Sequence, residues 1–223
     1  MTISGWQAIF TAINLRYLAE GLLISLELAT AAILLSLFFG SLLSLWMIGA
    51  KGVWGYPPRI YVSIFRHVPL LVFAFFLAFG LPVLGFNINL FTAGVLAMAL
   101  GNTAYMAEAL RGALESVSRG QLEAALSTGL TRWASIRLII YPQGLFRAIP
   151  VIVGQCIVIV QGSALLSTLG IADLTLRATI LSSRLGNPLE LTLFIAAIYY
   201  AVNRLLATCR TVLERKVAAR MIS

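Results

Sequence analysis

Residues 68–107 run for forty positions without an Asp, Glu, Lys or Arg. A water-soluble fold has no use for such a stretch, whereas a bilayer requires one, because crossing about 30 Å of hydrocarbon takes roughly 20 apolar residues in a helix. The run is long enough for two spans, divided by the turn signals of GLPVLGFNIN at 80–89. Residues 28–50 and 148–172 are also free of charge. Residues 191–203 form a shorter run whose neighbours Glu190 and Arg204 can snorkel outward and lengthen it. The pattern predicts an all-α membrane protein with five spans, near 22–48, 68–86, 90–109, 138–161 and 189–208. Composition agrees: 11% of the chain is charged, less than half of the about 25% usual in soluble domains.

Lys and Arg gather in cytoplasmic loops, and their placement sets orientation. With the N-terminus outside, three regions face the cytoplasm: 49–67, 108–147 and the chain from Arg204 onward. They carry Lys51, Arg59, Arg66, Arg111, Arg119, Arg132, Arg137, Arg147, Arg204, Arg210, Arg215, Lys216 and Arg220, leaving Arg16, Arg177 and Arg184 outside. This split predicts an outer N-terminus and a cytoplasmic C-terminus. It also accounts for the net charge of +8 without a basic groove, so no nucleic-acid partner is expected. The first 20 residues lack the basic n-region of a signal peptide. Trp6, Ile9, Phe10, Ile13 and Tyr17 recur instead at helical spacing, which predicts an interfacial helix over 1–20. A membrane domain over 21–210 and a cytoplasmic tail over 211–223 follow. Cys156 and Cys209 suggest neither a metal site nor a disulfide.

No Gly-Lys dipeptide occurs, so the chain has no phosphate-cradling loop of its own, and no set of side chains forms a catalytic constellation. Five spans are few for a solute pathway with two gates, and an odd number excludes an internal two-fold repeat of whole spans. A partner half is expected, with energy supplied from elsewhere. The long cytoplasmic stretch at 104–143 is the place to look for its entry. Ser118 and Gln121 have capping-box spacing, so a helix should start near Arg119 with Leu122, Ala125 and Leu126 on one apolar face. Gly129 can take the positive φ that ends it. Thr131 can cap the next helix, whose Trp133, Ile136 and Ile140 face the bilayer or span 4. The expected product is a rigid helix pair at about 118–137, held at the inner membrane surface where a soluble partner can grip it.

EAALSTGL at 123–130, followed by IIYPQ at 139–143, resembles the EAA signature of type I ABC importer permeases. AYMAEALRGAL and GQLEAA resemble the polar amino-acid branch of that family, and FRHVPLL at 65–71 is similar to its FRGTPLL. The likeness extends over roughly residues 17–217 and implies a place in a bacterial inner membrane. It implies a core of two permeases, identical or homologous, with an ABC ATPase dimer docked on the EAA helices and an extracytoplasmic amino-acid-binding protein. ATP and Mg belong to that ATPase, and no cofactor or metal to this chain. It further implies that Gly120, Gln121, Glu123, Ala124, Ala125, Gly129 and Pro142 serve coupling. Departures lie elsewhere. QGSALL at 161–166 stands where the branch has KDTSLL, and His67-Val68 replaces Gly-Thr. The context of QGSALL with GIADLTLRAT is similar to glutamate and aspartate permeases. Permeases for basic amino acids or glutamine are the alternative, and a non-transporting membrane scaffold is a more distant one.

Several residues carry two roles at this stage. Arg177 and Arg184, seven apart on an outer helix expected over 172–187, can attract an anionic cargo or touch lipid headgroups. Glu27, about 9 Å below the outer end of span 1, is a pathway candidate or a hydrogen-bond partner of a neighbouring helix. Gln161 and Ser163 can line a pathway or pack helices together. Pro142 and Pro150 loosen span 4 as a passive kink or as part of a lever.

Overall fold

The computed structural model describes the backbone of residues 3–50 and 52–222 and the side chains of 6–50 and 52–213; Lys51, and the side chains of Arg215, Lys216 and Arg220, lie outside the described residues. The described chain is built from helices joined by short connections, with no strand among the described residues. Helix α1 (Ile3–Ile9) is followed by α2 (Ala12–Gly49), then a 3₁₀ turn and α3 (Tyr56–His67). Val68 is extended and Pro69 follows, which ends α3. Next come α4 (Leu70–Phe75), a π-turn (Phe76–Gly80) and α5 (Leu81–Val83). After α6 (Leu90–Glu115) lie the short α7 (Arg119–Ser127) and α8 (Arg132–Ser135), a second π-turn (Ile136–Ile140) and α9 (Tyr141–Ser163). A 3₁₀ segment (Ala164–Leu169), α10 (Leu174–Leu185) and α11 (Pro188–Ile222) complete it.

Among the described residues four stretches are long and apolar enough to cross a bilayer: Ala12–Gly49, Leu90–Glu115, Arg132–Leu169 and Pro188–Leu213. The expected second span is different. Gly52–His67 and Leu70–Val83 form a broken pair that counts as a fifth span only when taken together. Helix α2 runs unbroken past residue 20, where the membrane domain is expected to begin, and Gly21 lets it pack closely against Asp173 and Leu174. Likewise α11 continues through the segment expected as a separate tail.

Both π-turns end two residues before a proline, Pro82 and Pro142. Proline removes an N–H and its ring collides with the carbonyl four residues back. Widening the preceding turn by one residue relieves both: the N–H of Leu81 bonds the carbonyl of Phe76, and that of Tyr141 the carbonyl of Ile136.

The chain forms two compact units. One comprises Met1–Ile33, Leu70–Ala99 and Ile157–Leu205. Its core is Ile9, Leu18, Leu174, Ala178, Leu181 and Leu191, so α10 contributes a stripe of Leu174, Ala178 and Leu181 at helical spacing. The other comprises Leu34–Pro69, Leu100–Cys156 and Leu206–Ser223. Here Met47, Val62, Ala104 and Ala107 pack together, as do Leu114, Val117 and Ile140. Small residues bring helices close: a Cβ on Gly40 would stand 2.8 Å from Met106, and one on Gly144 2.9 Å from the Leu114 backbone.

Candidate functional site

Helix α7 starts at Arg119, where the Ser118/Gln121 spacing placed it, but the capping box is not made: Ser118 is extended and its side chain forms no cap bond. Gln121 turns elsewhere, its Oε1 accepting from Nε2 of Gln143 at 3.4 Å. That bond joins GQLEAA to IIYPQ, two segments 22 residues apart in sequence. The other end of α7 closes as a Schellman motif. The Leu130 N–H bonds the Ala125 carbonyl at 3.3 Å, the Gly129 N–H bonds the Leu126 carbonyl at 3.1 Å, and Gly129 has φ +86°. Thr131 then caps α8 by accepting from the Ala134 N–H at 3.2 Å.

Only part of the expected apolar face is buried. Ala125 is 3% exposed and Leu122 packs against the Leu114 cluster, but Leu126 is exposed. Ala125 therefore anchors α7 inward. Gly120, Gln121, Glu123, Ala124 and Ser127 are left on the surface, forming an exposed ridge along α7. Ile136 and Ile140 are buried, whereas Trp133 is half exposed with its ring lying over Gly49. Pro142 is exposed at the start of α9. Beneath α7 and α8 lies a cavity of about 660 Å³ lined by Arg59, Arg119, Arg132, Leu122, Ile136 and Ile140, among others.

One feature of the same region went unassigned in the sequence. Arg111 bonds Glu108 through both Nε and a terminal nitrogen and reaches Glu115 at 2.6 Å. The E-x-x-R-x-x-x-E spacing was the available signal, since i,i+3 and i,i+4 partners meet on a helix. Arg147 of α9 donates to the Ser116 carbonyl, securing the chain just before α7. The Tyr105 hydroxyl donates to the Arg66 carbonyl at 3.2 Å, and the Arg66 guanidinium lies 5.4 Å from the Tyr105 ring centre.

The outer candidates are scattered by comparison. The Arg177 guanidinium donates to the Tyr17 carbonyl (3.0 Å), to Glu20 (2.8 Å) and to the Ala172 carbonyl (3.0 Å), and covers the Tyr17 ring. It clamps α10 onto α2. Arg184, on the same helix, is exposed. Ser163 is fully buried and donates back to the Val160 carbonyl, whereas Gln161 is exposed. Glu27 is exposed on α2.

The same interior holds a carboxyl that spacing did not single out. Asp173 caps α10 by accepting from the Leu176 N–H at 2.8 Å, and burial pushes its pKa up to about 6. Its second oxygen is buried without a hydrogen-bond partner.

Residues 32–219 match the family model described as binding-protein-dependent transport system inner membrane component. The chain is 30% identical over 214 residues to the glutamate/aspartate import permease protein GltK of Escherichia coli O6:H1, covering 92% of this chain and 95% of that one. It is 31% identical over 201 residues to the arginine transport system permease protein ArtQ of Bacillus subtilis, covering 90% and 92%. A crystal structure of an amino acid ABC transporter with histidines superposes with a TM-score of 0.88 at 31% identity, over 97% of this chain and 100% of that one.

Proposed function

We propose, from the premise that this chain belongs to the family of binding-protein-dependent transport system inner membrane components, that it is the multi-pass permease subunit of an ATP-driven importer for polar amino acids. Its termini lie as the Lys and Arg distribution demands, N-terminus outside and C-terminus in the cytoplasm. It supplies half of the translocation pathway, and a second permease, identical or homologous, supplies the other half. A separate ABC ATPase dimer burns the nucleotide, and an extracytoplasmic binding protein delivers the cargo. This chain makes and breaks no bonds.

The observation that carries the proposal is the clasp around α7. The helix is anchored through Ala125, ended by Gly129 and tied by Gln121 to Gln143 at the base of α9. A push on the exposed Gly120–Glu123–Ala124 ridge is thus passed to a membrane helix rather than lost in a loop. Alternating access follows when the two permeases rock in response.

Acidic amino acids are the first cargo to test, given the QGSALL and GIADLTLRAT context and the likeness to GltK. The equal likeness to ArtQ makes basic amino acids the second. The decisive experiment reconstitutes the complex with its binding protein and screens amino acids for stimulation of ATP hydrolysis. Crosslinking from a cysteine at Glu123 tests the docking directly. A transporting preparation in which that position never reaches the ATPase refutes the coupling role.

A further inference from the structure

Helix α3 has three faces, and only one is consumed by the fold. At 100° per residue, Pro58, Tyr61, Val62 and Phe65 share a side, and Val62 and Pro58 are buried there. Arg59, Ser63, Arg66 and His67 occupy a second side and line a cavity of about 440 Å³. Ile60 and Ile64, 55% and 49% exposed, form a third side directly beside the second, with exposed Tyr56 and Trp54 at its N-terminal end. A helix with arginines on one strip, aliphatic residues on the next and aromatic residues at its end has the composition of a segment lying in the headgroup layer.

The charges in the cavity are unequal in their commitments. Arg111 is satisfied by Glu108 and Glu115, and these neutralise one another in part. Arg66 is held in place by its stacking on Tyr105. Arg59, exposed, enters none of the ion pairs among the described residues. Two arginines and Ser63 lining one cavity suit the oxygens of a phosphodiester. The adjoining Ile60–Ile64 strip supplies apolar contact for what is attached to it. We infer that α3 and the end of α6 hold the phosphate of an acidic phospholipid, with an acyl chain lying along Ile60 and Ile64.

This goes beyond the transport role and does not depend on it, since lipid retention is read without transport. The assembled complex is placed in bilayers of phosphatidylcholine with a minority of phosphatidylglycerol, extracted in mild detergent and weighed by native mass spectrometry. The wild type should keep phosphatidylglycerol in preference to phosphatidylcholine. Arg59→Gln with Arg66→Gln should keep about tenfold less, with unchanged thermal stability in pure phosphatidylcholine; the Arg59→Lys, Arg66→Lys pair should keep an intermediate amount. Equal retention by the glutamine pair overturns the inference. Displacement by millimolar inorganic phosphate would assign the site to free phosphate and overturn the lipid assignment. Loss of the ATPase from the glutamine pair with retention unchanged would make the surface a protein contact and also overturn it. If the glutamine pair does not fold, the wild type decides: its preference for phosphatidylglycerol must weaken as salt is raised.

Discussion

Replacing Gly129 separates two reasons for a glycine at the end of α7. The residue has φ +86°, yet nothing lies within 4 Å of where a Cβ would stand. Its requirement is therefore conformational and not steric. An L-residue forced into the left-handed region costs about 1–2 kcal/mol, and size adds nothing where space is open. Gly129→Ala and Gly129→Phe should lose the same stability in the purified permease, about 2–8 °C in melting temperature at 2–4 °C per kcal/mol. Gly129→Asn should lose less, because asparagine tolerates this conformation. In proteoliposomes with the ATPase and binding protein, Ala and Phe should lower uptake per ATP hydrolysed, since the turn between α7 and α8 no longer holds its shape; membrane insertion should be unaffected. Phe melting far below Ala would show that bulk decides, and an Ala variant normal in both assays would show that the left-handed turn is dispensable. Either result refutes the reasoning.

Three further outcomes follow from packing and charge. Gly144→Ala would bring a Cβ to 2.5 Å from a Leu114 methyl and 2.9 Å from its backbone, costing about 1–3 kcal/mol, whereas Gly112→Ala, with open space around it, should stabilise α6 by about 0.5–1 kcal/mol; opposite shifts in melting temperature check the pair. Arg177→Gln should destabilise the permease by about 2 kcal/mol through lost charged hydrogen bonds without substrate present, and Arg177→Lys should not restore it, because an ammonium cannot serve Tyr17, Glu20 and Ala172 at once. Asp173 has its folded pKa raised from 3.8 to about 6, so the fold is penalised once the carboxyl ionises. Stability from this group is intact below pH 4 and lost as pH rises through 6, by up to about 3 kcal/mol. Asp173→Asn keeps the cap, should match the wild type at pH 4 and should melt above it at pH 8; equal pH profiles would refute the burial penalty.

Much of the fold was legible because lipid imposes a simple pattern. The family assignment and the inner-membrane location are borne out; α7 starts at Arg119 and ends before Gly129, α8 starts after Thr131, and α10 falls within the expected 172–187. What spacing does not carry is direction and long-range pairing. Hydropathy cannot tell that α3 stops at Val68-Pro69 and that a 99° bend separates it from Leu70–Val83. Arg177 looked like an outward-facing charge because its partners, Tyr17 and Glu20, are 160 and 157 residues away in sequence. Gln121 read as half of a capping box because the competing partner, Gln143, is in another helix. Ala125 belongs to the family signature, but whether it faces a partner or the interior depends on how α7 is rolled, which only packing against Leu122 and its neighbours determines.

The π-turns before Pro82 and Pro142 make chain length itself a coded quantity. Each stores one residue beyond what an α-helical ladder would need. A single-residue deletion within 136–140 would restore ordinary winding but swing everything upstream by about 100° about the helix axis. Ile136, now 2% exposed, would leave its pocket, and the exposed face of α7 would be turned with it. Homologous chains should therefore accept many exchanges of residue type in this stretch while refusing insertions and deletions, the reverse of what is expected of a surface loop.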